Sequence, residues 1–262
     1  MNTSDTLFQL LSRIPNLLPY EFQKYHQISK YGESDRTIRN KKWPKEWSEI
    51  YYKGYPRFKA YSLPQASNLR DAALQDAYFK RISAKQFSKA PCTVSETSDL
   101  LYFGAGEFDS PNTALTKRRF YPSAGARYPL EVYPIVLQHH EIPPGIYHYY
   151  VRGHAIEVLP QPRNIKKLLY QSIDQPFVKK ASMVFAVSAV FDRTSIKYQE
   201  RAYRLALMEA GHMCQNFYTT SAALGIGCCA LGGFNDDTIH NLLGLDGISE
   251  SILILMAFGH TD

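Results

Sequence analysis

Residues 121–132 read Tyr121-Pro122-Ser123-Ala124-Gly125-Ala126-Arg127-Tyr128-Pro129-Leu130-Glu131-Val132, and the organisation of the chain can be worked outward from them. Pro122 and Gly125 set a tight bend, and the small Ser123 and Ala124 between them let the backbone approach a flat ligand closely. The apolar run over 132–137 that follows reads as a buried strand. On spacing alone the stretch is equally an ordinary loop entering a strand, so its surroundings must decide.

Two further runs, 181–191 and 252–258, are nearly continuous in apolar residues and rich in Val, Ile, Leu or Phe, as a sheet covered on both faces requires. Between them lies the strongest helical pattern, residues 201–224. Ala206, Ala210, Met213, Phe217 and Leu224 share one face, and Tyr203, Leu207, Cys214, Tyr218 and Ala222 widen it into an arc. Such a helix is a core element or a subunit interface. Residues 69–79 suit a helix with Leu69, Ala73, Leu74 and Ala77 on one side. Another is expected after Pro91, with Ser95 and Ser98 as N-caps and Gly104 and Gly106 at its end. Helices interleaved with a mixed sheet place the chain in the α+β or α/β class. Residues 1–66 are rich in Tyr, Trp, Lys and Pro, with one short helix through Leu7, Leu10, Leu11 and Ile14. They read as an arm packed on a body at 67–262.

The 262 residues are 45% hydrophobic and 21% charged, enough for one sizeable core. The net charge of +6 is spread out. Its densest cluster, Arg39-Asn40-Lys41-Lys42-Trp43-Pro44-Lys45, is too short for a nucleic-acid stripe, so anionic ligands or acidic partners are the expectation. No apolar run has the length of a membrane span, and the N-terminus lacks signal-peptide features, which points to the cytoplasm. Cysteines 92, 214, 228 and 229 form no CxxC pair, the histidines show no ligand spacing, and no metal is expected.

Three more constellations carry chemistry. Arg81, Ser83 and Lys85 fall on one side of an extended segment, where two cations flanking a hydroxyl form a phosphate cradle; such alternations also occur on solvated edge strands. Leu231-Gly232-Gly233 exposes backbone to a ligand ring or makes a simple turn. Lys197-Tyr198 stands between a buried strand and the long helix, either as a base or as a surface lysine beside a packing tyrosine. Adjacent residues act jointly only across a bend.

Taken together, these segments resemble the nitroreductase superfamily, specifically its SagB/McbC-like branch of azoline dehydrogenases, from about residue 50 to the C-terminus. The motif from Pro122 to Val132 is the most specific match. Pro143-Pro144-Gly145-Ile146-Tyr147-His148-Tyr149 and Tyr203-Arg204-Leu205-Ala206-Leu207-Met208-Glu209-Ala210-Gly211-His212 follow in the expected order, and Tyr52-Lys53-Gly54-Tyr55-Pro56 is a weaker echo. The resemblance implies an FMN-binding homodimer of α+β fold, a mixed central sheet flanked by helices. FMN is implied at Arg81, Ser83 and Lys85, at Pro122, Ser123, Ala124 and Gly125, and at Leu231, Gly232 and Gly233. Lys197 and Tyr198 match the family's catalytic pair, and Arg118 or Arg119 is the candidate second cation for the phosphate. The implied reaction is oxidation of peptide azolines to azoles, on a modified precursor peptide and beside a cyclodehydratase. The rivals are a general NAD(P)H-dependent nitro or quinone reductase, a non-enzymatic scaffold of a peptide-modifying complex, and nucleic-acid binding through the basic arm.

Overall fold

The structure, a computed structural model, describes residues 21–30, 49–67, 69, 72–110 and 117–261. The helix expected near residues 7–14 and the basic cluster at 39–45 lie outside the described residues.

The three apolar runs become the middle of a seven-stranded sheet. They form β4 (Leu130–Val136), β7 (Met183–Val190) and β9 (Glu250–Gly259), with Val132 opposite Val187 and Phe185 opposite Met256. β8 (Gly227–Leu231) flanks β9. On the far side come β5 (Gly145–Tyr150), β6 (Ala155–Val158) and β1 (Ala60–Ser62), giving the order β1-β6-β5-β4-β7-β9-β8. β1 lies within the segment read as an arm and forms that edge of the sheet.

Every strand pair in this sheet is antiparallel, which corrects the expected mixed sheet. An unbroken apolar run records burial on both faces and says nothing of strand direction. Both faces are indeed covered. On one, Val132, Phe185, Val187, Met256 and Phe258 meet Leu100 and Leu101 of α3 (Val94–Ala105) and Met213 and Phe217 of α6 (Arg201–Leu224). On the other, Tyr133, Ile135, Val184 and Ala257 meet Leu169 of α4 (Ile165–Ser172) and Ile239 of α7 (Asp236–Leu243). Among the described residues, parallel pairing occurs only as isolated bridges, one of which joins Ser83 to Cys228 of β8.

α6 has the expected bounds, and Gly225 closes it in the left-handed conformation at φ 71°. Ala206, Ala210, Met213 and Phe217 are buried as expected, whereas Tyr203, Leu207 and Met208 are exposed on its other side. Near its start α6 is flanked by α1 (Glu21–Ile28), through Tyr25 against Tyr203. The cap of α3 is Thr93, not Ser95 or Ser98: Thr93 and Glu96 form a reciprocal capping box. The helix expected over 69–79 is the shorter α2 (Leu74–Lys80), which buries Ala77 but leaves Leu74 exposed. Among the described residues, no helix is long and apolar enough to cross a membrane.

Gly104 is the last residue but one of α3, and a β-carbon there would collide with the Phe217 ring. That ring is fully buried, 5.6 Å from Phe185 and 5.7 Å from Phe258 between centroids. Gly104→Ala is therefore expected to lower stability by about 1–3 kcal/mol through overpacking. Gly211→Ala, on the same helix pair but with open space around the new methyl, should raise it by about 0.5–1 kcal/mol. Urea denaturation midpoints test both; equal midpoints for the two variants would refute the packing assignment.

Candidate active site

Lys197 and Tyr198 are the last two residues of α5 (Asp192–Tyr198), a short helix that fills the gap between β7 and α6. The chain leaves it through Gln199 at φ 47°, ψ −134°, and this turn permits neighbouring side chains to converge. They converge on Gly125: a β-carbon there would lie 2.7 Å from Lys197 Nζ and 2.7 Å from the Tyr198 hydroxyl. Lys197 Nζ is 5.5 Å from the Tyr198 ring centroid. The bend expected from the sequence thus brings Gly125 to the pair, with Pro122 and Gly125 exposed.

The bend is a left-handed corner, with φ 60° at Gly125, 55° at Ala126 and 46° at Tyr128. The two residues with a β-carbon pay roughly 1–2 kcal/mol each for that conformation. Local hydrogen bonds hold it. Ala126 N–H donates to Ser123 O at 3.1 Å, Tyr128 N–H to Ser123 Oγ at 2.8 Å, and Arg127 Nε to Gly125 O at 3.2 Å.

A buried charge network fastens α5 to this bend. Arg193 of α5 pairs with Glu131 at 2.6 Å and donates to Tyr128 O at 3.0 Å. Glu131 also meets His148 Nε2 at 2.9 Å, and His148 Nδ1 meets Glu157 at 2.8 Å. The other Glu157 oxygen accepts the Tyr55 N–H at 2.8 Å. Beside it, Glu250 accepts from Lys53, from Tyr133 at 2.7 Å and from Ser188 at 2.6 Å. The segment 53–55 therefore roofs a polar seam in the sheet. Burial opposes a charge on His148, but the two carboxylates outweigh it and raise its pKa. Burial likewise opposes the Glu131 charge, and His148 and Arg193 outweigh it and lower its pKa. Both shifts favour an imidazolium between carboxylates. None of Glu131, His148, Glu157 or Arg193 was singled out as a site residue from the sequence. For Glu131, His148 and Glu157 the signal is a single carboxyl or imidazole side chain inside a buried strand, whereas Arg193 lies on α5 beside Asp192 and carries no such signal.

The cationic strip lies elsewhere. Ser83 pairs beside β8, and Ala84 N–H donates to Cys228 O at 2.9 Å. Ser83 Oγ is 3.1 Å from the Tyr218 hydroxyl, and the Arg81 guanidinium lies 5.5 Å from the Tyr218 ring centroid. Ala84 is buried as alternation requires, but Ile82 is exposed. Lys85 lines a cavity of about 430 Å3 with Lys179, Lys180 and Phe177. β8 ends at the buried Leu231, and Gly232 and Gly233 follow. A β-carbon on Gly232 would meet nothing, whereas one on Gly233 would strike Asp174. Arg119, on β3 (Lys117–Arg119, paired with β2, Glu107–Asp109), is buried against Tyr52 and Tyr128 and donates to Ala105 O at 3.2 Å, so it is no candidate for a surface phosphate. Arg118 is exposed.

Arg81 and Ser83 thus meet at Tyr218, whose hydroxyl also accepts the Ala230 N–H two residues before Gly232, and the bend with Lys197 and Tyr198 forms a separate group. They touch α6 at different levels: Tyr218 meets the strip, and Glu209 meets Ser123 and Ala124. Nine helical residues separate those contacts, roughly 13 Å along the axis. Beside the strip, Leu74, Tyr78, Phe79 and Ile82 leave an exposed apolar face.

Residues 78–260 match the nitroreductase family. A protein of Methanocaldococcus jannaschii named as a nitroreductase is 31% identical over 195 residues, covering 74% of this chain and 94% of that protein. The microcin B17-processing protein McbC of Escherichia coli is 31% identical over 159 residues, covering 58% of this chain and 57% of McbC. In fold, the chain is similar to the E. coli microcin synthetase McbBCD complex with truncated pro-MccB17 bound, at a TM-score of 0.60 and 22% identity over 92% of each chain.

The network carries a pH signature. The contribution of His148, whose folded pKa is raised, is complete below about pH 6.5 and disappears as pH rises through that raised value. The contribution of Glu131, whose pKa is lowered, is present above the ordinary carboxylate range and disappears as pH falls through the lowered value. His148→Gln removes the cation between two buried carboxylates, leaving Glu131 to Arg193 and Glu157 to the Tyr55 N–H, and is expected to destabilise by about 3–5 kcal/mol, with the alkaline loss of stability flattened. Denaturation between pH 5 and 10 checks this; an alkaline limb that persists in the variant would exclude His148 as its source.

Proposed function

The chain belongs to the nitroreductase family, and on that premise we propose that it is an FMN-dependent azoline dehydrogenase. Its substrate would be a thiazoline or oxazoline already cyclised from Cys, Ser or Thr within a ribosomally made peptide. The convergence of Lys197 Nζ and the Tyr198 hydroxyl on Gly125 carries this reading. It sets an amino group and a phenol side by side at a strained, accessible bend, and either of them, once deprotonated, is a base.

The residues present fit a flavin. Arg81, Ser83 and Lys85 offer a guanidinium, a hydroxyl and an ammonium for the phosphate and ribityl chain. The open space over Gly232 leaves room for a flat ring, and the bend from Pro122 to Gly125 is exposed at Pro122 and Gly125. When bound, FMN supplies the hydride acceptor. The chain itself orients the azoline ring at the bend, and Tyr198 or Lys197 takes the ring-carbon proton. Arg193 and Glu131 hold α5 in place during that transfer.

The strip and the bend meet α6 roughly 13 Å apart, and the apolar face of α2 beside the strip is uncovered. Two copies of the chain that share this face would bring one copy's strip to the other's bend, so the working unit is a homodimer. The precursor peptide and a cyclodehydratase partner are proposed from the likeness to McbC, of which the chain spans little more than half.

The purified protein is expected to be yellow with FMN-type absorbance and to convert a synthetic peptide thiazoline to the thiazole. Lys197→Ala and Tyr198→Phe should each lower turnover by on the order of 10²–10⁴-fold while retaining flavin. Unaffected turnover would remove the pair from the chemistry. Rapid NADPH oxidation with a nitroarene, insensitive to Lys197→Ala, would establish the general reductase instead. Colourless protein that cannot be reconstituted with FMN would establish the scaffold.

A further inference from the structure

The face of α6 that packs on the sheet is apolar at Ala206, Ala210, Met213 and Phe217, and Glu209 interrupts it. Its carboxyl is 2% exposed, an unusual place for an acidic side chain without a cation bonded to it. The Ser123 side chain and the Ala124 backbone lie against it and favour its charged form. Ser123 Oγ accepts the Tyr128 N–H at 2.8 Å, which leaves its own proton to face the carboxyl. Ser123 therefore stands between the Tyr128 amide and Glu209. It underpins the same corner that holds Gly125, Ala126 and Tyr128 at positive φ.

We propose that Glu209 is a positioning residue that clamps the bend at 123–128 from beneath and so fixes Gly125 against Lys197 and Tyr198. Strained corners persist only where their surroundings over-determine them. Arg193 holds this one from the side through Tyr128 O, and Glu209 holds it from the core. The charged and titratable groups facing Glu209 are Arg119 from β3 and Tyr121 just beyond it. Among the described residues, Glu209 Oε1, Tyr121 Oη and Arg119 Nε all lack hydrogen-bond partners, so the pocket under the bend is polar yet unsaturated. Burial pushes the Glu209 carboxyl up to about 8, against the lowering by Ser123, Ala124 and Arg119. The clamp is then a neutral acid at pH 7, and it avoids a buried unpaired anion.

The catalytic consequence rests on the proposed dehydrogenase reading; the clamp itself does not. The test compares the full-length wild type with Glu209→Ala, Glu209→Gln and Ser123→Ala. Amide hydrogen exchange over 123–128 is measured beside turnover of a synthetic peptide thiazoline. Glu209→Ala is expected to speed exchange in the bend by roughly tenfold or more. It should lower kcat on the order of 10²-fold, with KM little changed. Glu209→Gln, a neutral acceptor of the same shape, should restore both and remove any fall in kcat as pH rises through about 8. Ser123→Ala should move both readouts less, in the same direction. Unchanged exchange in Glu209→Ala overturns the proposal, as does Glu209→Gln behaving like Glu209→Ala. If Glu209→Ala does not fold, Ser123→Ala with wild-type exchange overturns it equally. Wild type that binds FMN yet leaves the thiazoline untouched would sink the dehydrogenase reading, and the exchange data alone would then judge the clamp.

Discussion

Glu131 stands one residue into β4, directly after the bend, and its carboxylate lies between His148 and Arg193. Through Arg193 it ties α5, and with it Lys197 and Tyr198, to the carbonyl of Tyr128. Through His148 and Glu157 it reaches β5, β6 and the backbone of Tyr55. A carboxylate taken out of water must keep its cations close, because an unpaired one in the interior is expensive. The parts of the site are thereby held to the sheet by a requirement that none of them can relax separately.

The rest of the architecture follows from a sheet buried on both faces. α6 is the common wall: its inner face packs on Phe185 and Phe258, and its flanks meet the strip and the bend at separate levels. A straight helix cannot bring contacts nine residues apart into one small pocket. In the proposed homodimer a composite site assembled from two chains would resolve this, and the exposed Tyr78, Phe79, Leu207 and Met208 are the surfaces such a pairing would cover.

The site also divides its polar groups by depth. Lys197, Tyr198, Ser83 and Lys85 stay in reach of solvent, while Arg119, His148 and Glu209 lie inside. Arg119 illustrates the difference. By composition it is a phosphate cation, yet it packs between the rings of Tyr52 and Tyr128.

The α+β class, the long helix from Arg201 to Leu224, the small-residue bend and the Lys197-Tyr198 pair were all legible in one dimension. Each depends on local periodicity, on Pro and Gly chemistry, or on a contiguous motif. Thr93 as the cap of α3 was legible too, since Thr-x-x-Glu is a capping box, although Ser95 and Ser98 drew the eye. Strand direction was not legible, because an apolar run is the same string whichever way its neighbour points. Nor were the roles of Glu131, His148, Glu157, Arg193 and Glu209. A lone charge in an apolar stretch has no meaning until folding brings its partner from tens of residues away, as Glu131 meets His148 and Arg193. Local chemistry thus determined the pieces and set Lys197 beside Tyr198. Only the tertiary structure decided which buried charges neutralise one another and so hold that pair at Gly125, because that balance depends on distances between residues far apart in the chain.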